Sequence, residues 1–74
     1  MKIRIRLDTA TDIANFVLAT SKIKEKVYVT DGKRLCIDGK SFLGIAHASE
    51  FDELWCECDK DIYSAIEPFV IKEG

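Results

Sequence analysis

A chain of 74 residues has room for one domain, residues 1–74, and no second. Its 47% hydrophobic share can furnish a core, and a formal net charge of −2 argues against the basic excess of a nucleic-acid binder. No apolar run reaches the roughly 18 residues of a membrane span, and the N-terminal MKIRIRL alternates charge with apolar groups instead of forming a signal sequence, so a cytoplasmic domain without membrane insertion is expected.

Lys2 to Leu7 reads K-I-R-I-R-L, with Ile3, Ile5 and Leu7 on one face and Lys2, Arg4 and Arg6 on the other. That period of two predicts a half-buried strand. The polar stretch Asp8-Thr9-Ala10-Thr11-Asp12 is rich in helix-capping residues. Beyond it Ile13, Phe16, Val17 and Thr20 recur at helical spacing, which predicts a helix of about three turns. Lys22 to Lys26 is a charged connection. Val27 and Val29 then alternate with Tyr28 and Thr30 as a second strand. Asp31-Gly32 signals a hairpin turn, because glycine accepts the positive φ that such a turn needs. Leu35 to Asp38 completes the hairpin, with Leu35 and Ile37 sharing a face.

Ser41 is the natural N-cap for F-L-G-I-A-H-A, a helix of about two turns in which Gly44 costs about 1 kcal/mol relative to alanine. Leu54 to Cys58 is the fourth strand. Asp59 or Asp61 starts a last helix carrying Ile62, Tyr63, Ile66 and Val70, which Pro68 kinks or ends near Glu67. The expected architecture is α+β: an open-faced sandwich in the order βαββαβα, with a four-stranded antiparallel sheet and all helices on one face. Lys2, Arg4, Arg6, Tyr28, Trp55 and Glu57 fall on the wetter face, where Trp55 with Arg4 and Arg6 is positioned for a cation–π cluster or a contact surface.

Cys36, Cys56 and Cys58 are an odd number, unsuited to a disulfide framework, and Cys56 and Cys58 share a strand face. They are expected to be reduced thiols. The spacing C-x-C is not that of common structural zinc sites, and His47 is the only histidine, so no metal or other cofactor is expected.

The run Lys40-Ser41-Phe42-Leu43-Gly44-Ile45, the helix segment Ile13-Ala14-Asn15-Phe16-Val17 and the turn Asp31-Gly32-Lys33 occur in this order within the βαββαβα pattern. Together they resemble the histidine-containing phosphocarrier (HPr-like) family of the bacterial sugar phosphotransferase system, over nearly the whole chain. The family carries G-[LI]-H-x-R-P between its first strand and first helix, and that histidine accepts phosphate from a phosphorylated partner. Here the same place reads Leu7-Asp8-Thr9-Ala10-Thr11-Asp12: Thr9 falls at the histidine position, Thr11 replaces the arginine and Asp12 the proline. A threonine hydroxyl is a weak nucleophile without a base, and its ester does not pass phosphate onward readily. Two aspartates nearby oppose an incoming phosphate. His47 lies six residues past Ser41, where the family has no phosphoacceptor, and is expected as a solvent-facing or half-buried helix residue.

The resemblance implies a regulatory phosphorylation site at Ser41, since that serine is a kinase target in Gram-positive members; its bare structural role is that of an N-cap. It also implies a docking surface at Ala14, Leu18, Phe42, Leu43 and Ala46, unless Phe42 or Leu43 folds under as core. The expectation is thus a monomeric, non-enzymatic regulatory or protein-interaction module. Its partners would be proteins: phosphotransferase-system enzymes, a serine kinase or a transcriptional regulator, with no nucleic acid. The alternatives are a phosphocarrier using Asp8, Thr9 or His47 as an unconventional acceptor, and a divergent binding domain with an unrelated role.

Overall fold

The computed structural model describes residues 1–72. Strand β1 (Lys2–Ile5) is followed by helix α1 (Ala10–Ser21), strands β2 (Val27–Thr30) and β3 (Cys36–Asp38), helix α2 (Phe42–Ala48), strand β4 (Leu54–Cys58) and helix α3 (Tyr63–Ile66). A 3-10 turn, Glu67–Phe69, follows. The fold is α+β in the order βαββαβα, and the four strands form one antiparallel sheet in the spatial order β1-β4-β2-β3. Among the described residues no helix is long and apolar enough to cross a membrane.

Register explains which side chains form the core. Ile3 lies opposite Cys56, Ile5 opposite Leu54, Cys56 opposite Val29, and Val29 opposite Ile37, so the apolar member of each alternation faces the helices. Ile5, Val27, Val29, Leu54, Cys56 and Cys58 are buried there, against Phe16 from α1, Ile45 and Ala48 from α2 and Ile66 from α3. Lys2, Glu57, Tyr28 and Asp38 form one cross-strand row on the opposite face, and Arg4, Trp55, Thr30 and Cys36 form the next. Thr20, also buried, donates its hydroxyl to the Gly39 carbonyl at 2.7 Å and ties the end of α1 to the turn before α2.

Several boundaries differ from expectation, each for a physical reason. β1 stops at Ile5 rather than Leu7, because its partner β4 begins at Leu54, opposite Ile5, and offers no strand residue to Arg6 or Leu7. The β2–β3 connection is wider than a two-residue Asp31-Gly32 turn. That tight turn would set Arg34 opposite Val29 on the core face; the five-residue loop 31–35 sets Ile37 there instead. Gly32 still supplies the positive φ, +79°, and Asp31 Oδ1 accepts the N–H groups of Lys33, Arg34 and Leu35. Leu35 therefore belongs to the loop and not to β3. Val70 is not helical either. Pro68 has no N–H to donate, α3 ends at Ile66, and the chain straightens so that Val70 pairs with Ile5 beside β1.

Gly44 has a packing reason that its helix propensity hides. A Cβ at this position would lie 2.5 Å from Ile37 Cγ2, and the branched isoleucine is stiff about χ1. Alanine gains about 1 kcal/mol of propensity but incurs an overpacking cost of about 1–3 kcal/mol. Gly44→Ala is expected to be destabilising by about 1 kcal/mol in urea unfolding, less when Ile37→Ala removes the obstructing methyl. A plain gain in stability would show that Ile37 moves aside freely.

Candidate functional site

The loop before α1 closes on itself. Thr9 is the N-cap in extended conformation, and its Oγ1 accepts the N–H of Asp12 at 3.0 Å. Asp12 reaches back, its Oδ2 accepting the N–H of Thr9 at 3.3 Å and of Asp8 at 3.0 Å. This reciprocal capping box starts α1 at Ala10, so Thr11 and Asp12 belong to the helix and not to a loop before it. It also places a carboxylate at the positive pole of the helix dipole. An anion approaching the free amides of Ala10 and Thr11 meets Asp12 and Asp8 first. The T-x-x-D spacing of Thr9 and Asp12 is the sequence signature of such a helix start.

Between this loop and the turn after α2 lies a cleft of about 240 Å³, whose charged lining is Asp8, Glu50 and Asp52 against Arg6. Arg6 Nε is 3.7 Å from Asp8 Oδ1, and both side chains are well exposed, so the pair contributes little. His47 is not part of the cleft. It sits exposed in the last turn of α2, its ring edge-on to Phe51 at 5.7 Å.

Ser41 is the N-cap of α2, as its position predicts: its Oγ accepts the Gly44 N–H at 3.2 Å, and the residue is half-buried. Lys40 does not face it as a free cation, because its ammonium donates to the Ile23 carbonyl. Next to Ser41 the helix exposes Phe42 (52%) and Leu43 (83%), while Ile45 is fully buried, so neither of the first two folds under as core. Ala46 is half-buried. On α1, Leu18 is 59% exposed and Ala14 is exposed as well.

α1 packs against α2. Each helix carries part of the expected set: Ala14 and Leu18 are exposed on α1, and Phe42 and Leu43 are exposed on α2, with Ala46 half-buried on the same helix.

No family model, curated protein or solved structure matches this chain.

The open sheet face differs from expectation in its cation–π pair. Lys2 Nζ, not Arg4 or Arg6, stands over the Trp55 ring, 5.6 Å from its centroid, while Trp55 Nε1 donates to Glu53 Oε2 at 2.7 Å. Arg6 is drawn to Asp8, and Arg4 is half-buried with its Nε unpaired among the described residues. The cysteines are free: Cys36 is exposed, and Cys56 and Cys58 are buried. Burial, with Cys58 beside it, pushes the Cys56 thiol up to about 12, so it stays protonated at neutral pH. Among the described residues no group of three His, Cys, Asp or Glu side chains is arranged to hold a metal ion.

Proposed function

We propose that this chain is a divergent HPr-like domain that acts in the cytoplasm as a regulatory, protein-binding module and not as a phosphate carrier. The observation that carries this reading is the exposure of Leu18 on α1 and of Phe42 and Leu43 on α2, Leu43 by 83%, which we read as one apolar ridge along the α1–α2 seam. Exposed apolar groups massed on one small domain commonly mark a partner site. The element order and the K-S-F-L-G-I segment support the family assignment. The self-capped start of α1 supports the loss of phosphate relay, since Thr9 Oγ1 is engaged by the Asp12 N–H and two carboxylates flank it.

Ser41 would control the ridge. A phosphate on its Oγ adds nearly two negative charges beside Phe42 and Leu43, which turns the edge of an apolar surface anionic. A partner with a basic rim then binds better and one with an acidic rim binds worse. The partners in this reading are phosphotransferase-system enzymes, a serine kinase or a transcriptional regulator, each meeting the chain as a monomer.

Incubation with the general phosphotransferase enzyme and labelled phosphoenolpyruvate is expected to leave no acid-labile phosphate on the chain. Amide shifts of the labelled protein on addition of the same enzyme should centre on Ala14, Leu18, Phe42, Leu43 and Ala46. Stoichiometric acid-labile labelling would overturn the proposal.

A further inference from the structure

The two edges of the sheet are finished differently. Beyond β1 the segment after α3 acts as an extra extended piece: Arg6 N–H donates to Phe69 O at 2.8 Å, Ile71 N–H donates to Arg4 O at 3.1 Å, and Val70 pairs with Ile5. The opposite edge, β3, has no such cover among the described residues. Gly39 N–H donates to Val27 O at 2.7 Å, and antiparallel alternation then turns both main-chain groups of Ile37 toward Val29. The same alternation points the N–H and C=O of Cys36 and the N–H of Asp38 away from the sheet; the Asp38 carbonyl is taken by Ser41 N–H at 3.1 Å.

A hollow of about 460 Å³ lies where this edge begins, lined by Leu35, Phe51, Lys33, Arg34 and Asp31. Neither cation has a carboxylate within 4 Å among the described residues. Residues 31–40 hold Lys33, Arg34 and Lys40 against Asp31 and Asp38, an excess of positive charge in a chain of net charge −2. Both of these carboxylates already accept backbone N–H groups, three at Asp31 and one at Asp38, so the loop is held in shape before any partner arrives.

We propose that the β3 edge is a strand-addition site for an extended segment of a partner protein that alternates apolar with acidic residues. The incoming main chain pairs with Cys36 and Asp38. An apolar side chain enters the hollow between Leu35 and Phe51, and acidic side chains reach Arg34 and Lys33, which border the same hollow. With only three outward groups on β3 the ladder is short, so the hollow and the two cations set the affinity and the choice of sequence. A second copy of β3 paired about Ile37 would set Arg34 against Lys40 of the other copy, cation against cation. This site stands apart from the α1–α2 ridge and does not depend on the family resemblance.

The probe is a capped peptide of alternating valine and glutamate, titrated into the labelled full chain with amide exchange and shifts as the readout. In the free protein the Cys36 and Asp38 amides should exchange rapidly while that of Ile37 is protected. Excess peptide should slow the first two at least tenfold and shift residues 33–38 and Phe51. Lys33→Glu with Arg34→Glu should weaken binding at least tenfold, and a peptide N-methylated at alternate residues should not bind. Unchanged exchange, equal binding of the N-methylated peptide, or shifts confined to Leu18, Phe42 and Leu43 would overturn the proposal. Protection that grows with protein concentration in the absence of peptide would also overturn it, in favour of a second copy.

Discussion

Replacing Phe16 by alanine is expected to lower the thermal unfolding midpoint by at least about 20 °C, and to loosen the C-terminal segment before the rest of the sheet. Phe16 is fully buried at the centre of the helix–sheet interface. Truncating a buried phenylalanine costs about 3–5 kcal/mol through lost transfer energy and the cavity left behind. Its ring also meets Phe69 edge-on, with centroids 5.4 Å apart and planes at 83°. That geometry adds about 0.5–1.5 kcal/mol beyond area burial, which places Phe16→Ala in the upper part of the range. A domain of this size holds a total of roughly 4–11 kcal/mol, and each kcal/mol moves the midpoint by about 4–8 °C. The Phe69 carbonyl accepts the Arg6 N–H, and Val70 follows it onto the edge of β1, so a freed Phe69 loosens both bonds that hold this segment. Exchange at the Arg6 and Ile71 amides should therefore accelerate more than exchange along β2 and β4. A midpoint shift below about 8 °C would mean that the core collapses into the space and that Phe16 is not its anchor.

What was legible in the chain was what a short-range period can carry. Alternation in Val27–Thr30 and Leu54–Cys58 marks strands because one face is buried and one is wet, and Ser41 before F-L-G-I-A-H-A marks a helix start because its side chain can take an orphan amide. Ends decided by non-local contacts were not legible. Val70 has the spacing of a helical residue behind Ile62 and Ile66, yet its place beside Ile5 is set by Pro68 and by the unfilled edge of β1, 65 residues earlier in the chain. The width of the Asp31–Leu35 loop follows from keeping Ile37 opposite Val29, a demand that the Asp-Gly dipeptide does not carry. Gly44 read as a flaw in its helix because the crowding methyl belongs to Ile37 on another element. At the candidate site, residue types pointed to Ser41 and to the Phe42–Leu43 pair. Whether that pair was surface or core depended on which face of α2 the sheet takes, and Ile45 together with Gly44 settles it. The cation at Trp55 is Lys2 and not Arg4 or Arg6, a choice that the alternation of residues 2–6 leaves open because all three share one strand face.

On the proposed function, Leu43→Asp is expected to weaken binding of the general phosphotransferase enzyme about 100-fold while leaving stability within about 0.5 kcal/mol of the parent. The two halves of this expectation come from different physics. In the free domain Leu43 is 83% exposed, so truncation of its side chain removes little packing. Aspartate loses about 0.5 kcal/mol of helix propensity relative to leucine. Yet position 43 is the second residue of α2, where the dipole favours a negative charge by about 0.3–1 kcal/mol, and the two effects nearly cancel. In the bound state the same carboxylate would be pressed into an apolar contact beside Phe42 without a partner. An unpaired charge buried in that way costs about 3 kcal/mol or more, which corresponds to about 100-fold in affinity. Thermal melts and calorimetric titration on one preparation separate the two terms. Equal affinity with the variant would remove the ridge as the docking surface. A fall in affinity matched by a fall in the melting midpoint would assign Leu43 a role in the fold, and loss of affinity at constant midpoint is what a docking crest requires.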